Sequence, residues 1–183
     1  MHAQLRIVLG KTTAREVWKV GMVSDIFGSV KVDFGGINLM GGVPQEESWE
    51  EGVLWAHDDC ILIKSGLMNG SWMGMRVRYS NEVPPDADMD TWNSITECGF
   101  DADVAPWLEV PVGPLAPPPL NELGIPAGPK WLRVCQRVDK DWASHHQIRP
   151  VEQSSDPASL PVQFLVEIWD ATVADTGPGK IIK

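Results

Sequence analysis

The chain is poor in the residues that usually announce chemistry: among 183 residues there are three cysteines, four histidines and one tyrosine. Cys60, Cys98 and Cys135 are odd in number and far apart, with no C-x-x-C pair. That excludes a disulfide framework or a thiolate zinc site and points to a reducing compartment, so the expected address is the cytoplasm. No apolar run approaches the roughly 18 residues of a membrane-spanning helix. The catalytic signatures G-x-S-x-G, H-E-x-x-H and G-x-G-x-x-G are missing. Gly10-Lys11-Thr12 ends like a phosphate loop, but Leu5 stands where the first glycine of that motif belongs. No segment holds a helical apolar period over ten or more positions, and only Asp90 to Cys98 offers a turn or two of helix. Positive charge is also scarce. Fifteen Lys and Arg face 25 Asp and Glu, a net charge of −10, which disfavours phosphate backbones and anionic lipid and favours a basic protein as partner.

What the chain has instead is short-range alternation. Ile125-Pro126-Ala127-Gly128-Pro129-Lys130 makes a Pro/Gly turn that launches Trp131 to Val138. There Leu132, Val134 and Val138 share one face, and Trp131, Arg133, Cys135 and Arg137 the other. Similar patterns predict strands over Gln4 to Leu9, Glu16 to Met22, Ser29 to Phe34 with Val30, Val32 and Phe34 inward, Trp107 to Val112, and Val162 to Trp169. Cys60 to Lys64 is apolar on both faces, as a central strand is, and the spacing predicts a hairpin with Trp72 to Tyr79. Val162 to Trp169 is expected to pair antiparallel with Trp131 to Val138. Met1 to Gly10 reads as a first strand instead of a secretion signal. Asp139 to Pro161, with His145-His146 at its centre, reads as a long exposed loop, and Pro114 to Pro119 as an extended link across one end. About nine short strands separated by turns predict an all-β fold, a two-layer antiparallel β-sandwich with long loops. Residues 1–170 form its single domain and 171–183 a flexible tail.

Few residues carry candidate chemistry. Asp86, Asp88, Asp90, Ser94 and Glu97 fall at positions 1, 3, 5, 9 and 12 of a calcium loop, although Thr91 replaces the turn glycine and Pro84-Pro85 the incoming helix. Ca2+ is the only cofactor this pattern offers. His57, Asp58, Asp59 and Cys60 are a base, two acids and a thiol in succession, but neighbours along a strand point to opposite sides. Arg76, Arg78, Arg133 and Arg137 share outward faces with Trp72 and Trp131, where the many carboxylates are their expected partners. Nine tryptophans exceed what core packing ordinarily takes. Trp49 and Trp92, beside Glu46, Glu47, Glu50 and Glu51 and beside Asp86 to Asp90, are the candidate anchors of a protein interface.

The layout resembles that of small bacterial two-sheet proteins that include the competence-J type nuclease inhibitors. The shared elements are Ser48-Trp49-Glu50-Glu51-Gly52, the runs Cys60 to Lys64 and Trp72 to Tyr79, Pro126-Ala127-Gly128 leading into Trp131 to Val138, and the closing Val162 to Trp169. The resemblance implies a binding protein and not an enzyme, an immunity or inhibitor protein that neutralises a basic nuclease or toxin, as a monomer or homodimer. The alternative is a calcium- or carbohydrate-binding sandwich.

Overall fold

A computed structural model describes residues 22–43, 49–57, 60–88, 90–111, 116–145, 149–172 and 180–182. The strands are β1 (Met22–Lys31), β2 (Gly36–Val43), β3 (Trp49–Glu51), β4 (Leu54–His57), β5 (Cys60–Lys64), β6 (Trp72–Ser80), β7 (Ser94–Glu109), β8 (Gly128–Val138), β9 (Val162–Asp170) and β10 (Lys180–Ile181). One helix, α1 (Lys140–His145), and a 3-10 turn at Pro157–Ser159 lie in the stretch expected to be a loop. The fold is all-β. The expected strand Gln4 to Leu9, and all but the last residue of Glu16 to Met22, lie outside the described residues.

The strands form one continuous sheet in the order β1-β6-β9-β8-β7-β2-β5-β4-β3, with β10 added to β7. Long β7 joins its two halves. Residues Ser94 to Ala102 pair with β8, and the stretch from Asp101 to Glu109 pairs with β2. At the changeover Met40 faces Trp107 and Gly42 faces Ala102, so Gly41 alone stands opposite residues 103–106. This wide bulge bends β7, and Gly41 meets it at a φ of 82°, a conformation open to glycine. The helical turn expected from Asp90 to Cys98 is instead the start of β7: Thr96, Cys98, Phe100 and Ala102 alternate inward, all buried.

A single apolar cluster takes Val30, Met75, Val134 and Phe164 from one half of the sheet and Leu39, Leu54, Ile61 and Ile63 from the other. Polar contacts cross the same gap. The Val53 amide donates to Thr96 Oγ1 at 3.5 Å, and Gln136 Nε2 donates to the Ser65 carbonyl at 3.0 Å. The β5-β4-β3 flank therefore turns back over β7 and β8, consistent with two layers. From Ala116 to Ile125 the chain runs from the end of β7, where Ala116 N donates to Leu108 O, to β1, where the Ser24 hydroxyl donates to Leu123 O. Leu120, Leu123 and Ile125 drop from it into the core. Of the expected proline-rich link, Pro114 lies outside the described residues.

Two expectations about pairing change. The sheet is mixed and not purely antiparallel, because β6 runs parallel to β9. Nor do β5 and β6 form a hairpin. Each already has two neighbours, β2 and β4 for β5, β1 and β9 for β6. The β5–β6 connection crosses between the halves beside the β1–β2 turn, held there by Ser65 N to Gly35 O at 2.8 Å, Gly70 N to Val32 O at 2.8 Å and Val32 N to Ser71 O at 2.7 Å. The expected pairing of Trp131 to Val138 with Val162 to Trp169 is observed: β8 and β9 run antiparallel from Lys130 opposite Asp170 to Val138 opposite Val162. Lys180 and Ile181, in the stretch read as a tail, pair with Glu97 and Thr96.

Phe34 does not face inward. It occupies the turn between β1 and β2 at a φ of 47°, followed by Gly35 at 82°, and is 62% exposed. Positive φ at both central residues is the pattern of the hairpin turns that favour Asn-Gly. A Phe34→Asn substitution is therefore expected to raise stability by about 0.5–1 kcal/mol in denaturant unfolding, because the ring buries little and asparagine tolerates the left-handed region. No gain would mean that Phe34 makes an offsetting contact.

Tyr79 points inward from β6, and its hydroxyl donates to both carboxylate oxygens of Asp170 at 2.9 Å. Asp170 also meets the buried Lys130 ammonium at 3.1 Å. Burial, then the hydrogen bond and charge of Asp170, push the phenol up to about 12. The phenol is the only one in the chain, so tyrosinate absorbance reports it alone. The folded protein is expected to titrate near 12, and Asp170→Asn to move the midpoint toward the ordinary value of about 10. Because the folded pKa lies above the unfolded one, this stability is complete below about pH 10 and is lost as pH rises toward 12. A wild-type midpoint near 10 would contradict the contact.

Candidate functional site

The outward face of β1, β6, β9, β8 and β7 carries an in-register row of alternating charge. Asp25 stands opposite Arg78, Arg78 opposite Glu167, Glu167 opposite Arg133 and Arg133 opposite Glu97. Arg133 Nε donates to Glu97, and its Nη1 reaches Glu167 Oε2 at 3.2 Å. Arg78 Nη1 lies 3.6 Å from Glu167 Oε1, and its Nε 3.7 Å from Asp25 Oδ1. Asp25 also accepts from Nε and Nη2 of Arg76 at 2.6 and 2.5 Å. The centre of the row is the driest: the side chains of Arg133 and Glu167 are 6% and 4% exposed. In the next row Trp131 stacks on Trp169, with ring centres 6.4 Å apart, and the Arg133 guanidinium lies 5.5 Å from the centre of the Trp169 ring.

Burial and pairing oppose each other along the row. Burial pushes the Glu167 carboxyl above its ordinary value, and Arg133 and Arg78 only partly pull it back. Burial alone would lower Arg133, but Glu97 and then Glu167 hold it above its usual value. At the wetter end burial raises Asp25, but the hydrogen bond and charge of Arg76, with help from Arg78, leave its carboxyl below the ordinary range.

The acidic loop after β6 is fastened to this face. Arg133 Nη1 donates to the Pro85 carbonyl at 2.8 Å, and Ala87 and Trp92 pack against a small outward cluster of Ile95, Cys135 and Leu165. Asp88 closes the turn, its two oxygens accepting from Asp90 N at 3.0 Å and Thr91 Oγ1 at 2.7 Å. Asn93 then ties the loop to β8 through Gln136 O and Val138 N. Asp86, Asp88 and Asp90 are left exposed to solvent.

The residues expected to bind a partner or a metal are placed as follows. Trp92 is half-buried under its loop. Trp49 packs against the core, with its indole Nε1 buried and lacking a hydrogen-bond partner. Glu50 is exposed and ion-paired with Lys64 at 2.5 Å, Glu51 is half-buried in β3, and Glu46 and Glu47 lie outside the described residues. Of the calcium pattern, Ser94 and Glu97 lie within β7, and Glu97 is bound to Arg133. Among the described residues no group of three or more His, Cys, Asp or Glu side chains is placed to hold a metal ion.

His57 and Cys60, read as neighbours on one strand, instead face each other across the β4–β5 pairing. The thiol lies 3.3 Å from His57 Nε2, and the imidazole packs on Trp55 with ring centres 4.7 Å apart. The sequence from His57 to Cys60 contains no glycine or proline, so nothing in it marked two strands instead of one. Burial pushes the thiols of Cys98 and Cys135 up to about 12, which leaves both inert. His145 ends α1, and His146 lies outside the described residues. An open hollow of about 700 Å³ beside α1 is lined by Arg137, Asp139, Asp141, Trp142 and Ser159 among others. Asp139 is engaged there, Oδ1 accepting from the amides of Asp141 and Trp142.

Fold and surface together define an all-β protein with an acidic loop fastened to a charge row that is buried at its centre. No family model, curated protein or solved structure matches the chain. Among the described residues no helix is long and apolar enough to cross a membrane.

Removing one member from the dry centre of the row leaves the others uncompensated. Arg133→Ala is expected to cost about 3–5 kcal/mol in denaturant unfolding, whereas Arg76→Ala, at the wet end, costs about 1 kcal/mol or less. Equal losses in the two variants would contradict the gradient of burial.

Proposed function

We propose that the protein binds a basic protein partner through its acidic surface, with the loop from Asp86 to Asp90 at the centre of contact, and that it acts as an inhibitor or immunity protein of a basic nuclease or toxin. One observation carries the reading: the loop is held by Pro85, Ala87, Trp92 and Asn93 while its carboxylates face water. A fastened loop loses little conformational entropy on binding, so its charge serves association with small ordering cost. Of the cations on the same face, Arg76, Arg78 and Arg133 are each engaged with a carboxylate, and Arg137 is exposed. Trp92 packs beneath the loop and holds it in place.

The test is affinity capture from the native host's lysate at low and high salt, using the wild-type chain and an Asp86→Asn, Asp90→Asn variant as baits. Asp88 is left intact because it closes the turn. The expected result is a stoichiometric basic protein that leaves at high salt, binds the variant at least about tenfold more weakly, and loses nuclease or toxic activity in the complex. A partner held equally by both baits, or none at either salt, would overturn the reading.

A further inference from the structure

The other half of the sheet presents a second outward row of a different chemical kind. His57 stands opposite Cys60, Cys60 opposite Met40, and Met40 opposite Trp107, on four adjacent strands. Directly paired residues point to the same side of a sheet. The inward side is fixed by Ala56, Ile61, Leu39 and Leu108, all in the core, so the four alternate residues face outward together. The row therefore holds an imidazole, a thiol, a thioether and an indole in sequence across neighbouring strands.

We propose that His57, Cys60 and Met40 form a binding site for one soft monovalent cation of the Cu(I) type, with the Trp107 ring beside it. Thiolate and thioether sulfur select such ions over hard divalent ones, and imidazole accepts them. The separation of 3.3 Å between Cys60 Sγ and His57 Nε2 is spanned by a metal with bonds of about 2.0 and 2.3 Å to nitrogen and sulfur. Cross-strand side chains start about 4.5–5.5 Å apart at Cβ, which puts the flexible Met40 thioether within reach of the same point. Trp107 Nε1 donates to Glu109 Oε2 at 3.2 Å, which orients the indole next to Met40. Cys60 is 3% exposed and His57 half-buried, so the cation enters past the imidazole edge into surroundings that favour soft ligands over water. Binding replaces the Cys60 S–H bond by a sulfur–metal bond and releases one proton to solvent; no electron is transferred. The site rests on residues remote in the sheet path from the acidic loop, so it stands or falls independently of the proposed partner.

The full chain is titrated with Ag(I), a redox-inert probe, and read by native mass spectrometry, chelator competition and melting temperature. Wild type is expected to take up one Ag(I) and to melt at a higher temperature when loaded. Cys60→Ser is expected to lose the ion. Met40→Leu, which conserves volume and so folds, is expected to bind at least about tenfold more weakly. No uptake by wild type, uptake retained by Cys60→Ser through Cys98 or Cys135, or undiminished binding by Met40→Leu would each overturn the proposal.

Discussion

The ion pairs of Arg133 with Glu97 and Glu167 fix more of this structure than any apolar contact does. Alternation of apolar and polar residues prevents a strand from slipping by one position, because that turns its core side outward. It does not prevent a slip of two, which keeps every side chain on its own face. Were β8 to slip by two against β9, Arg133 would face Leu165 or Trp169 in place of Glu167. A guanidinium 6% exposed has no water to replace the lost carboxylate, so the slipped pairing is strongly penalised. The same holds for Glu167 between Arg133 and Arg78, which sets β6 against β9 in the parallel direction. Register across these strands is thus decided by charge, and the apolar core accommodates it.

The acidic loop follows from that arrangement. Arg133 has more donors than its two carboxylates occupy, and Nη1 also reaches the Pro85 carbonyl. The residue that locks the sheet therefore also locks the loop. Ala87 and Trp92 then cover Ile95, Cys135 and Leu165, an apolar row beside the charged one that would otherwise meet water. The position of the loop that carries Asp86, Asp88 and Asp90 comes from the sheet beneath it, and only their charge is their own.

Much of this was legible in the chain. The alternation from Trp131 to Val138 and from Val162 to Trp169 predicts the β8–β9 pair, and aligning the ends of those runs already sets Trp131 against Trp169 and Arg133 against Glu167. Complementary charges and matched aromatics at one register were a usable signal. The expectation that the arginines pair with carboxylates needed only that alignment to name the partners. What the chain concealed was connection. Cys60 to Lys64 and Trp72 to Tyr79 look like a hairpin because a short glycine-containing stretch lies between them. Nothing local records that this stretch crosses to the other half of the sheet beside the β1–β2 turn. The partners of β5 and β6 are distant in sequence, and that is where periodicity ceases to be informative. Phe34 misled for the opposite reason: it continues an apolar alternation, but the backbone has already entered a left-handed turn.

The two outward faces divide the chemistry of the molecule. One is ionic, with Arg76, Arg78 and Arg133 spent on internal pairs and exposed carboxylates on a fastened loop. Such a surface acts at a distance and is screened by salt within roughly 10 Å. The other carries imidazole, thiol, thioether and indole in one row. Whatever it holds must be held by contact. The bent β7 belongs to both, presenting Glu97 to the first face and Trp107 to the second, on either side of the bulge opposite Gly41. A single strand that changes partners midway is what allows one core to support two surfaces with unlike chemistry. The inward residues on either side of the bulge, Phe100, Ala102 and Leu108, enter the same apolar cluster, so disturbance of that bend would be felt by both.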